Sequence, residues 1–251
     1  MKQFITISIF LLFLILGCKI SNESILNSKI ESDTIYTNIN GKGFDLLIDF
    51  IPGESHNYPS FVFWIEDISG KYIQTLYTTK SIATGVFGHG ADGPGKWKTV
   101  EGEAIRPASL PYWLHKRGIF SRDTLLVPTM EFPIPDAYTG ATPTSDFVLK
   151  TKSDNTLESK FVLLLEINQP WDWNEYWTNS KYPDNADYKT SCQPSIIYSV
   201  VIDLNSDVTE YFLNPIGHGH YAGENGRLYT DLTTLTTALD IVKKVKVVIN
   251  N

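Results

Sequence analysis

The chain has 251 residues, 42% of them hydrophobic and 13% aromatic, and its 28 acidic side chains outnumber its 21 Lys and Arg to give a formal net charge of −7. An acidic chain without a basic cluster argues against a nucleic-acid-binding protein, whose partner is a polyanion. The length allows one sizeable core or two small sandwiches, and two cysteines cannot build a disulfide framework.

In chain order, Met1-Lys2-Gln3 is followed by a mainly apolar run from Phe4 to Leu16, then Gly17-Cys18. The run is too short for the roughly 20 residues that cross a bilayer as a helix and has the layout of a signal peptide. Leu14-Ile15-Leu16-Gly17-Cys18 resembles a bacterial lipobox. That resemblance implies cleavage after residue 17, lipidation of Cys18 and a tether to membrane lipid. The protein is then expected to be an extracytoplasmic, membrane-anchored lipoprotein, facing the periplasm or on the cell surface. The polar, Ser- and Asn-rich stretch after Cys18 reads as a linker. The expected organisation is a signal peptide over 1–17, a lipidated Cys and linker over 18–40, and one β-sandwich domain over 41–251.

Frequent Tyr, Phe, Trp, Thr, Ile and Val, with Gly and Pro at short intervals, predict an all-β domain with little helix. Strands are expected over residues 44–50, 61–67 and 72–77, the last two joined by a turn through Ser69-Gly70. Phe61, Phe63 and Ile65 fall on one face and Val62 and Trp64 on the other, so this strand should lie inside a sheet covered on both sides. Residues 81–100 carry Gly85, Gly88, Gly90, Gly93 and Gly95 and read as a long surface loop. A helical turn is expected within 107–117, and a short strand at 125–128. Further strands are expected over 147–150, 161–167 and 195–204. An edge piece over 211–215 should be stopped by Pro215. A helical turn at 232–239 and a half-exposed strand over 241–249 close the chain.

Between the two groups of strands lies Asp136-Ala137-Tyr138-Thr139-Gly140-Ala141-Thr142-Pro143. Its Asp-x-x-Thr-Gly-Ala-Thr resembles the motif at which an ApbE-type flavin transferase attaches FMN through a phosphoester. The resemblance implies Thr142 as the attachment oxygen, with Asp136, Thr139, Gly140 and Ala141 shaping the loop. The same residues also spell an ordinary turn, with Asp136 as its cap, Gly140 free to take positive φ and Pro143 extending Thr142. The hairpin FVFWIEDISGKYIQTLY, followed by DAYTGATPTSDFVLKT and SKFVLLLEIN, is similar to the DUF2271 family. That similarity implies an immunoglobulin-like antiparallel β-sandwich outside the cytoplasm. Ser153-Asp154-Asn155-Thr156 stands where the family has a Trp-Asp-Gly-x-Asp turn.

Three further constellations carry weaker chemistry. His218 and His220, spaced i, i+2, would point the same way on a strand and suit a metal, with His89 a third ligand that no spacing rule connects. Trp171, Trp173, Tyr176 and Trp177 could form a stacking platform for a sugar or an isoalloxazine ring. Cys192 has no adjacent base and no Gly-x-Ser-x-Gly occurs, so no nucleophile is marked. Two main readings stay open: an electron carrier with covalent FMN on Thr142, served by a flavin transferase and a redox partner, or a non-catalytic binding module for a glycan or partner protein. A small metal site at His218 and His220 is the third.

Overall fold

The computed structural model describes residues 33–134 and 139–249. Cys18 and Asp136 therefore lie outside the described residues. In chain order the elements are β1 (Asp33–Tyr36), β2 (Asp45–Pro52), β3 (Ser60–Asp67), β4 (Tyr72–Thr79), α1 (Lys80–Thr84), β5 (Val86–Phe87), β6 (Gly102–Glu103) and α2 (Pro111–Arg117). There follow β7 (Phe120–Ser121), β8 (Thr124–Leu125), β9 (Thr139–Gly140), β10 (Phe147–Lys152), β11 (Lys160–Asn168), β12 (Ile196–Asp203), β13 (Glu210–Phe212), β14 (Asn214–His218) and β15 (Val242–Ile249). With 38% strand and 9% helix the fold is an all-β sandwich, its helix far below the roughly one third of an average domain.

One sheet runs β1-β10-β2-β15-β13 and the other β14-β12-β11-β3-β4-β9. Alternation places Leu46, Ile48 and Phe50 of β2 and Val245, Val247 and Ile249 of β15 in the same core as Phe61, Phe63 and Ile65 of β3 and Leu163, Leu165 and Ile167 of β11. Across the sandwich, the Phe61 ring of β3 stacks on Phe50 of β2 at 5.9 Å and on Phe147 of β10 at 5.8 Å, which packs the two sheets face to face. Val62, Trp64, Leu164 and Ile197 form a second cluster on the outer face of the six-stranded sheet, beneath α1 and α2. This explains why β3 is apolar on both faces: the helices and loops form a third layer over it.

Several expectations are corrected. The sandwich is not wholly antiparallel, because the β1–β10 and β4–β9 pairings are parallel. Strand β1 lies within the stretch 18–40 read as linker; four residues pairing with β10 need no apolar period to be ordered. The Gly-rich stretch 81–100 is not all loop. It opens with the helical turn α1, and β5 pairs with β6. Pro215 does not stop a strand. It sits inside β14, an edge strand of the six-stranded sheet, the position in a sheet that tolerates proline, whereas β13 belongs to the other sheet.

Candidate functional site

The six-stranded sheet decides where the central motif goes. Strands β3 and β11 are antiparallel and so are β3 and β4, so the start of β3, the end of β11 and the end of β4 meet at one end of the sheet. Thr139 and Gly140 add a short parallel strand alongside Thr78 and Thr79, which brings the motif to that end. The Tyr77 hydroxyl donates to the Ala141 carbonyl at 3.0 Å and holds the chain beyond β9. Thr142 follows as a half-buried loop residue. Its hydroxyl donates to the Pro59 carbonyl at 3.2 Å.

Thr142 lines a groove of about 470 Å³. Facing it are Tyr58 from the approach to β3, Trp171 from the exit of β11, and Phe87, Gly88 and His89 from the Gly-rich stretch. Arg106 belongs to the same lining and is only 5% exposed. Its guanidinium carbon lies 4.1 Å from the centre of the Phe87 ring and 5.8 Å from that of Trp171, and Nη2 donates to the His89 carbonyl at 2.9 Å. Burial lowers its pKa to about 10, so it stays charged at neutral pH. The edges of His89 and Trp97 meet Trp171 at 5.2 and 5.6 Å. Both Tyr58 and Trp171 have left-handed backbone, φ 51° and 57°, an uncommon state for bulky side chains.

The other predicted residues are dispersed. The 171–177 aromatics do not form one platform. Trp171 enters the groove, Trp177 is buried against Tyr188, Tyr221 and His218, and Trp173 and Tyr176 are exposed. His218 ends β14, on the edge of the sheet opposite β9, so it and His220 are separated from the Thr142 groove by the sheet's width. Both are buried. The His218 Nδ1 contacts the Gly219 carbonyl at 2.8 Å, and the His220 Nδ1 accepts from the Ala222 and Glu224 amides. Burial lowers the pKa of each. Among the described residues no three His, Cys, Asp or Glu side chains converge as a metal site. His89 instead belongs to the groove. Cys192 is buried, and burial pushes its thiol up to about 11, which makes it a poor nucleophile. A larger but shallow depression along Lys181–Asp187 holds Asp184 and Asp187 and brings no reactive set together.

Sequence reading missed Arg106 and Tyr58. The one signal for Arg106 was a lone charge in the otherwise uncharged run from Ala104 to Leu114. No periodicity relates it to Thr142; the tertiary fold alone brings them together. No family model, curated protein or solved structure matches this chain.

Proposed function

We propose that this chain is a lipid-anchored, extracytoplasmic electron carrier holding FMN in phosphoester linkage on Thr142. The observation that supports it best is the place of half-buried Thr142 in the lining of a groove of about 470 Å³ that also holds aromatic rings and a buried cation. That volume lies within the roughly 300–1,000 Å³ of small-molecule sites. The flavin would supply one- and two-electron transfer; the protein supplies its position and surroundings. Thr142 offers the oxygen from a loop that a second protein can reach, and the Pro59 carbonyl fixes the direction of its hydroxyl. Attachment exchanges the hydroxyl proton for a flavin phosphoryl group. The donor must therefore carry a leaving group on that phosphorus, and the transferase a base. Tyr58 and Trp171 flank the place where the ring would lie and limit water around it. Thr139 faces solvent on β9 and serves the strand.

Co-expression with a flavin transferase and fluorescence imaging of a denaturing gel test this reading. The expected result is a fluorescent band for the wild type and for Thr139→Ala, and a dark one for Thr142→Ala. A dark wild-type band sinks the covalent reading. The second reading, a binding module for a glycan or partner protein, then gains weight, supported by Trp173 and Tyr176, which are 58% and 53% exposed.

A further inference from the structure

We propose that Arg106, with the rings of Tyr58 and Trp171, makes this groove a binding site in its own right for a phosphomonoester of a flat aromatic ring system, the phosphate held by Arg106. For the identity of the ring, a flavin, the inference rests on the function proposed above. The anion site itself rests on the side chains.

Three observations converge on it. First, Arg106 is a buried cation. Among the described residues no carboxylate forms an ion pair with it, and its Nε–H is buried with no hydrogen-bond partner. Withdrawing a guanidinium from water is costly unless an anion meets it, and among the described residues it meets ring faces and one carbonyl. A guanidinium also presents its N–H groups in a planar fork that matches two phosphate oxygens. Second, the chain as a whole carries −7, yet the described residues lining this groove include no Asp or Glu. The preference for an anion is thus local, set against an unfavourable overall field. Third, of the five non-glycine residues with left-handed backbone among those described, two are Tyr58 and Trp171. Backbone held in a sparsely populated state is concentrated where a side chain must be presented to a ligand. Trp171 is fixed there by the hydrogen bond its backbone N–H donates to the Thr190 carbonyl at 3.1 Å and by the rings of His89 and Trp97.

The test uses full-length mature protein carrying Thr142→Ala and produced without a flavin transferase, so that no covalent bond can form. FMN and riboflavin, which differ by the phosphate alone, are titrated and followed by flavin fluorescence. FMN is expected to bind about tenfold to a hundredfold more tightly than riboflavin, the range for hydrogen bonds to a charged group. Inorganic phosphate should compete with FMN and leave riboflavin untouched. Arg106→Met should bring FMN down to the riboflavin affinity without changing the latter, and Arg106→Lys should restore part of the difference. Trp171→Ala should weaken both ligands alike. Equal affinities for FMN and riboflavin, or no binding of either, would overturn the inference. That comparison leaves Arg106 intact, so it decides the matter even where Arg106→Met fails to fold. The two proposals fail separately. A fluorescent wild-type band with no preference for FMN removes the phosphate site and keeps the covalent reading. A dark band with a clear preference for FMN removes the covalent bond and keeps the site.

Discussion

Gly140 shows how one residue ties the central motif to the fold. A turn reading of the sequence gives Gly140 a positive φ, but its backbone is in the ordinary range, and the reason for glycine lies elsewhere. A Cβ at this position would sit 2.8 Å from the Tyr77 hydroxyl oxygen. Tyr77 is fully buried and its hydroxyl is committed to the Ala141 carbonyl, so it cannot swing aside. Gly140→Ala should therefore cost about 1–3 kcal/mol by overpacking. Tyr77→Phe removes the offending oxygen, and the next contacts of that Cβ, at 3.4 and 3.5 Å, are ordinary. The double variant should be clearly more stable than the sum of the two single losses. Urea unfolding of the four proteins measures this coupling; strict additivity would show that the contact is not what demands glycine.

At the scale of elements, the third layer is held to the sandwich through β11. Glu166 lies on the face of β11 that points away from the main core, and its carboxylate accepts from the Tyr112 and Trp113 amides at the start of α2 and from the Ser195 hydroxyl at 2.6 Å. Lys116 at the other end of α2 reaches Glu66 of β3 at 3.2 Å and the Gly70 carbonyl at 2.8 Å. The short α2 is thereby anchored at both ends over strands β3 and β11. Burial raises the pKa of Glu166 to about 7, against the pull of its three donors. A carboxylate whose folded pKa is raised binds more protons folded than unfolded between its ordinary value and about 7. Its contribution to stability is then fully present below that ordinary value, falls as pH rises through about 7, and changes little above. His218 and His220, with lowered pKa values, act in the opposite direction below their ordinary value. The clean measurement is thus a difference. The stability of the wild type relative to Glu166→Gln should shrink between pH 5 and pH 8, read by denaturant unfolding at each pH. A difference independent of pH would show that Glu166 does not titrate in this window.

For the whole molecule, the described domain offers no helix long and apolar enough to cross a membrane. On the lipoprotein reading, Cys18 carries the membrane attachment, and stable anchoring depends on the buried acyl CH₂ groups. Cys18→Ala should move the protein from the membrane to the soluble fraction of its host. A variant that stays fully membrane-bound would remove that reading.

The sequence by itself determined the class of fold and most of its strands. Period-two alternation and β-branched or aromatic runs are local signals, and local signals survive in a linear text. Even the burial of both faces of β3 was legible, because Phe61, Val62, Phe63 and Trp64 leave no polar face. The Thr139–Thr142 stretch stood out for the same reason, as part of a contiguous motif. Only the tertiary structure decided that Pro215 lies within an edge strand, that β4 and β9 run parallel, and that the three candidate histidines do not share a site. It also assembled the groove. Tyr58, Phe87, Arg106, Thr142 and Trp171 come from five separate stretches and meet where the start of β3 and the ends of β4 and β11 share one end of the sheet. Strand pairing is a long-range choice, set by how whole apolar faces are covered rather than by any short run of residues.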